Sequence, residues 1–147
     1  MAERTESKIR IEAPPNDVLD VIADVESYPE WTKDMSQVRV LSLDEQDWPV
    51  EVEFTVAAGV ISDTYVLRYV WDVQDDGTGT CSWTLKQART LKAMDGAYVL
   101  SADGEATAVS YELGVELAVP LPGMMRRKAE KSIVSTALAG LKKRVEG

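Results

Sequence analysis

The chain of 147 residues contains no histidine, one cysteine and one phenylalanine. Without histidine, Ser-His-Asp and Cys-His nucleophilic catalysis, imidazole acid–base chemistry and His-ligated metal sites are excluded. The lone Cys81 excludes an intrachain disulfide framework and a CxxC redox or zinc pair. The nine glycines form neither GxGxxG nor GxxxxGK[ST], so no dinucleotide or P-loop fingerprint is present. No apolar run approaches the roughly 20 residues of a spanning helix, and "MAERTESK" lacks the apolar core of a signal peptide. A single domain in the cytoplasm is expected, with no cofactor and no metal.

What is present is acidic. Sixteen cations against twenty-five acids give a net charge of −9, which argues against nucleic-acid binding, because phosphate contacts need a basic face. The cations are unevenly placed. Residues 126–144 hold seven of them and a single acid, Glu130, so the end of the chain is a basic segment on an acidic body. Cations at Lys142 to Arg144 suit the carboxyl end of a helix, whereas Arg126 to Lys128 oppose the dipole at its amino end. A basic run of this kind is ordinarily a solvated helix face, and the net charge opposes approach to an anionic bilayer, so membrane contact is at most peripheral.

Periodicity divides the chain into a helical opening, a strand-rich middle and a final helix. "SKIRIEA" alternates as a half-buried strand. "PPNDVLDVIADV" repeats apolar residues at Val18, Val21, Ile22 and Val25, the stripe of an amphipathic helix, with Pro15 suited to its first turn. Ser27 and Glu30 have the spacing of a capping box around Pro29, which predicts a second, short helix over about 28–34. From residue 36 to 119 the period is two. "MSQVRVLSL", "VEVEFTVAA", "VISDTYVLRYVWDV", "GTCSWTLKQ", "LKAMDGAYVLS" and "TAVSYELGVELAV" are separated by short turns such as "DEQDWP", "AAG" and "DDGTG", which implies antiparallel neighbours. After "PLPG", residues 124–145 place Ala129, Ile133, Ala137 and Leu141 on one helical side, with Met125 and Val134 beside them. A seven-stranded sheet with one apolar face has to be covered, and the last helix is the longest element able to cover it.

The stretches "IEAPPNDVLDVIADVESYPEW" and "PLPGMMRRKAEK", with the strands between them, resemble the SRPBCC superfamily. More narrowly, the chain is similar to actinobacterial polyketide cyclase/dehydrase and lipid-transport proteins, including those with a coenzyme-Q-binding-type domain, and the resemblance spans nearly the whole chain. It implies an α+β helix-grip fold, shared with START domains and the birch pollen allergen family. In that fold a curved seven-stranded antiparallel sheet is followed by a long C-terminal helix over an internal hydrophobic cavity, and two short helices follow the first strand at its mouth.

Alternation along the strands gives an inward-facing set of Phe54, Tyr65, Leu67, Tyr69, Trp71, Trp83, Leu85, Tyr98, Tyr111 and Leu113. Met125, Ala129 and Ile133 face them from the helix, and Tyr28 and Trp31 stand at the mouth. Five tyrosines and four tryptophans against one phenylalanine favour an interior with polar partners, because buried phenols and indoles need them. The expected partner is a small hydrophobic molecule: a lipid, quinone or polyketide-type compound carried in the cavity. Two other readings remain open, a polyketide cyclase or dehydratase and an interaction module without a ligand. In the enzyme reading Tyr65, Tyr69 and Tyr111 donate protons, while strand parity puts Arg68 on the outer surface.

Overall fold

The computed structural model describes residues 4–58, 61–119 and 121–147, with only the backbone described at 58 and 61. Strand β1 (Thr5–Ile11) is followed by helix α1 (Pro15–Ala23) and a 3₁₀ turn (Val25–Glu30). Strands β2 (Met35–Leu43), β3 (Pro49–Ala58), β4 (Ile61–Val73), β5 (Gly79–Gln87), β6 (Leu91–Asp103) and β7 (Ala106–Leu117) lead to helix α2 (Gly123–Glu146). Gly59 and Val60 in the β3–β4 connection and Pro120 of "PLPG" lie outside the described residues. Every pairing is antiparallel, in the order β1-β7-β6-β5-β4-β3-β2. This is the seven-stranded curved open sheet with a C-terminal helix, the helix-grip arrangement.

The curvature has a local cause. Register shifts interrupt β2–β3 near Met35, Val40 and Ser42, β4–β5 at Val66, and β6–β7 at Leu91. An extra residue on one strand bends it and adds twist, which wraps the sheet toward its inner face. Helix α2 rests on β1 and β7 at one margin of that face, while the 3₁₀ turn rests on β2 at the other. The middle strands meet these elements mainly through large side chains, as where Tyr28 of the turn approaches Phe54 of β3 at 6.3 Å between ring centroids, and a space remains between them.

Two expectations about helices are corrected. The second short helix begins earlier, at Val25, with Asp24 as its first cap and no side-chain capping bond, so Ser27 and Glu30 form no capping box. Pro29 lies inside a tighter turn that runs on almost directly from α1. Helix α2 is rotated from its predicted face by about one residue, burying Glu130, Val134, Ala137, Leu138 and Leu141. Its register is set by Glu130, 1 % exposed, whose carboxylate accepts from Thr5 Oγ1 at 2.9 Å and from the Val115 backbone N–H at 2.7 Å. The β1 ladder on β7 stops at Leu113, and Glu130 takes the donor beyond it. Met125 consequently falls on the outer side, 47 % exposed.

Candidate functional site

Register builds the inner wall. Phe54 lies opposite Tyr65 across β3–β4, Tyr69 opposite Trp83 across β4–β5, and Tyr98 opposite Tyr111 across β6–β7. Directly opposed residues share a face, so the aromatics form one row across five strands. Their ring centroids lie 5.6 Å apart for Phe54–Tyr65, 5.7 Å for Tyr69–Trp83, 5.5 Å for Trp83–Tyr111 and 4.5 Å for Tyr98–Tyr111. Gly96 makes room in the row: a Cβ there would stand 2.8 Å from the Trp83 ring, so a larger residue would push the indole off β6.

These rings surround a cavity of about 60 Å³. At about 10–15 Å³ of such space per water, that is room for a few water molecules. Val56, Leu67, Met94 and Leu113 complete the sheet side, Ile133, Thr136 and Ala137 line it from α2, and Tyr28, Trp31, Thr32, Asp34 and Met35 line it from the segment after α1. Nine of the twelve predicted site residues are brought together here: Tyr28, Trp31, Phe54, Tyr65, Tyr69, Trp83, Tyr98, Tyr111 and Ile133.

Three are not. Trp71 shares the inner face but lies one pleat further along β4, stacked between Tyr69 and Trp48, and its indole N–H donates to the Pro49 carbonyl at 2.6 Å. It plugs the end of the core. Ala129 packs on the core margin without reaching the cavity, and Met125 points outward, both because Glu130 fixes the rotation of α2. Arg68 is exposed as its parity predicts, donating to Glu51, which Lys86 also contacts.

Sequence reasoning missed Thr32, Asp34, Met35, Val56, Met94, Thr136 and Ala137 as lining residues. Val56 and Met94 continue the alternation of Phe54 and Tyr98 and were within its reach. Thr32 to Met35 follow an irregular turn with no period to read, and Thr136 is an ordinary helix-surface residue until the rotation of α2 is known.

The polar chemistry is that of neutral phenols. Burial pushes the hydroxyls of Tyr28, Tyr65, Tyr69, Tyr98 and Tyr111 well above the usual phenol range, and nearby ionisable groups, Cys81 for Tyr28 and Tyr111 and neighbouring phenols for Tyr65, Tyr69 and Tyr98, add to it. At physiological pH they donate hydrogen bonds and do not act as bases. Tyr28 donates to the Ile22 carbonyl. Among the described residues the other four phenols have no protein hydrogen-bond partner. Among the described residues Asp34 is the only carboxylate on the lining. The indole N–H of Trp31 is buried without an acceptor, a situation that costs about 1–3 kcal/mol. Its ring packs edge-on to Tyr28 at 5.0 Å and against Gly140 of α2.

The model of the family described as polyketide cyclase/dehydrase and lipid transport matches residues 11–142, from the end of β1 through most of α2. The chain belongs to this family. Among solved structures it is similar to a START superfamily protein from Mycobacterium smegmatis, at 18 % identity and a TM-score of 0.89 over 98 % of this chain and 97 % of that one. It is also similar to the Zhui aromatase/cyclase from Streptomyces sp. R1128, at 17 % identity and a TM-score of 0.74 over 99 % and 94 %. A STAR-related lipid transfer protein fragment from Xanthomonas axonopodis gives 15 % identity and a TM-score of 0.79 over 98 % and 86 %. No curated protein matches significantly. At these identities the structural likenesses establish the START-like fold. A polyketide cyclase/lipid-transport fold of this kind supports binding of a hydrophobic ligand in general. Among the described residues no helix is long and apolar enough to cross a membrane.

Proposed function

We propose that the protein binds and carries a small hydrophobic molecule that bears oxygen, of the quinone or polyketide type, in the cavity beneath α2. One observation carries this reading: Tyr65, Tyr69, Tyr98 and Tyr111, all buried residues, line a mainly apolar and aromatic cavity, and their hydroxyls form no hydrogen bond to protein among the described residues. Buried hydroxyls need partners, and a hydrocarbon tail supplies none. A carbonyl or hydroxyl on a flat ring supplies acceptors while its faces stack on Trp83 and Phe54. The cavity has room for only a few waters, so a ligand displaces them and moves Trp31 or the adjoining part of α2 outward.

Native mass spectrometry of the purified protein is expected to show added mass that organic extraction releases. Replacing Tyr111 with Phe in the extracted protein should weaken rebinding of the released compound by about fivefold to tenfold, the loss of one neutral hydrogen bond. A chain that leaves purification at its bare mass, and whose tryptophan fluorescence no naphthoquinone alters, refutes the reading.

A cyclase or dehydratase acting in the same cavity is favoured by one feature, the placement of Asp34 on the lining, where a proton acceptor is otherwise missing. It predicts cyclised product from a poly-β-ketone substrate and its loss in Asp34→Asn. No product from the wild type excludes it.

A further inference from the structure

An open groove of about 750 Å³ runs outside the cavity, between the 3₁₀ turn and the C-terminal half of α2. Trp31, Thr32 and Thr136 line both spaces, so one indole and two threonines form the partition between them. The two sides differ in chemistry. The inner side is mainly aromatic, while the charged side chains of the groove are Lys33, Lys143, Arg144 and Glu30, three cationic side chains against one acidic one in a chain of net charge −9, with Gly147 also on the lining.

Arg144 Nη2 donates to Glu30 Oε1 at 3.0 Å, which occupies the acid. Lys33 and Lys143 form no ion pair among the described residues. The last turn of α2 brings partial negative charge to this end, which Lys143 and Arg144 offset, whereas Lys33 stands on the opposite wall and owes nothing to that dipole. A solvated lysine on a helix face is ordinary. Two ammonium groups on facing walls, directly outside the partition of an apolar cavity, are arranged to receive the charged end of a molecule whose other end is inside.

We infer that the ligand is an amphipathic carboxylate: its apolar ring system passes Trp31 into the cavity, and its carboxylate stays in the groove between Lys33 and Lys143. This rests on the cavity reading above and adds the charged end. The orphaned Trp31 N–H fits the same route, since turning the indole aside for the ligand brings that donor to the groove, where water or the carboxylate can accept from it.

The test compares 2-naphthylacetic acid with its methyl ester by isothermal titration calorimetry, on the wild type and on the Lys33→Gln/Lys143→Gln double variant. Both lysines are exposed, so the variant is expected to fold, which circular dichroism checks. The acid is expected to bind wild type at least tenfold more tightly than the ester at low ionic strength, with the gap narrowing in 0.5 M salt. The double variant is expected to bind acid and ester alike, with the ester unchanged from wild type. Equal binding of acid and ester to the wild type overturns the charged-end assignment and leaves the cavity reading standing. A preference for the acid that survives in the double variant overturns the assignment to these two lysines. Binding of neither compound overturns this inference, while the cavity reading is judged separately by the retained mass and the naphthoquinone response.

Discussion

Substituting Gly140 with alanine sets two well-defined effects against each other. In a helix interior alanine is favoured over glycine by about 1 kcal/mol, so on propensity alone the change stabilises α2. The packing says otherwise. A Cβ at position 140 would lie 2.8 Å from the backbone oxygen of Trp31, 3.1 Å from its Cε3 and 3.6 Å from its Cζ3. Carbon contacts are optimal near about 3.5–4.0 Å, so the first two approaches are several tenths of an ångström too close. The carbonyl cannot swing away cheaply, because the Trp31 and Thr32 amides both donate to Tyr28 O, at 3.1 and 2.8 Å, and hold the turn. Relief comes from α2 moving away, which loosens the Arg144–Glu30 pair and the Trp31 partition. Overpacking of this kind costs about 1–3 kcal/mol, so the net expectation is a loss of about 1 kcal/mol, opposite in sign to propensity. Urea unfolding followed by tryptophan fluorescence and circular dichroism measures it. Ser132→Ala, on the exposed face of α2, calibrates the propensity gain alone, at about 0.5 kcal/mol. A Gly140→Ala protein more stable than wild type by about 1 kcal/mol would refute the close approach of helix and turn.

Glu130→Ala leaves the Val115 amide and the Thr5 hydroxyl without their acceptor, one of them fully buried, and is expected to cost about 3 kcal/mol; Glu130→Gln, which keeps an acceptor, should cost clearly less in the same urea assay. Asp63 tests electrostatics separately: burial alone would raise its pKa, but the amides of Thr90, Leu91 and Arg89 and the Thr90 hydroxyl outweigh it and hold the carboxyl below its ordinary range. A depressed native pKa gives stability that is fully present above the unfolded value near about 4 and is lost as pH falls through the lower native value, so the gap between wild type and Asp63→Asn should be constant from pH 7 to 5 and close below about pH 4. A gap undiminished at pH 3 would show that the carboxylate charge contributes nothing.

The sheet was the most legible part because its signal is simple. In "GTCSWTLKQ" and "MSQVRVLSL" the predicted bounds coincide with β5 and β2, since glycine, aspartate and proline mark the turns and the intervening residues alternate. The same alternation put Tyr65, Tyr69, Trp83, Tyr98 and Tyr111 on one face. Alternation fixes a side of the sheet and leaves open how far along a strand the cavity extends, which is why Trp71 was counted in and Met94 left out. The helix failed for a different reason. Pattern reading assigns a glutamate to solvent, and Glu130 is the residue α2 buries to satisfy a strand amide, so one polar contact with β7 shifted the face enough to take Met125 and Ala129 off the lining while Ile133 stayed on it. At "SYPEWTKD" the capping-box spacing pointed to a helix start, but the chain had already turned at Asp24, and the local pattern gave no hint of the tighter 3₁₀ geometry.

The protonation state of the cavity separates what it can hold from what it can transform. Raised phenol pKa values make Tyr65, Tyr69, Tyr98 and Tyr111 permanent donors at neutral pH, able to bind a carbonyl oxygen and to steady negative charge developing on it. Removing a proton from carbon is a different task, and none of these groups performs it while neutral. With no histidine in the chain and Asp34 the only carboxylate among the described lining residues, base chemistry in this cavity rests on that side chain or on water. Asp34 is only partly buried and sits beside Thr32 and Met35 in the segment that closes the cavity, rather than among the phenols of the sheet. Phenol donors along the sheet wall, with the one carboxylate among the described lining residues at the margin, make an arrangement rich in recognition groups and sparse in bases. Binding is therefore the function that the largest share of this lining serves.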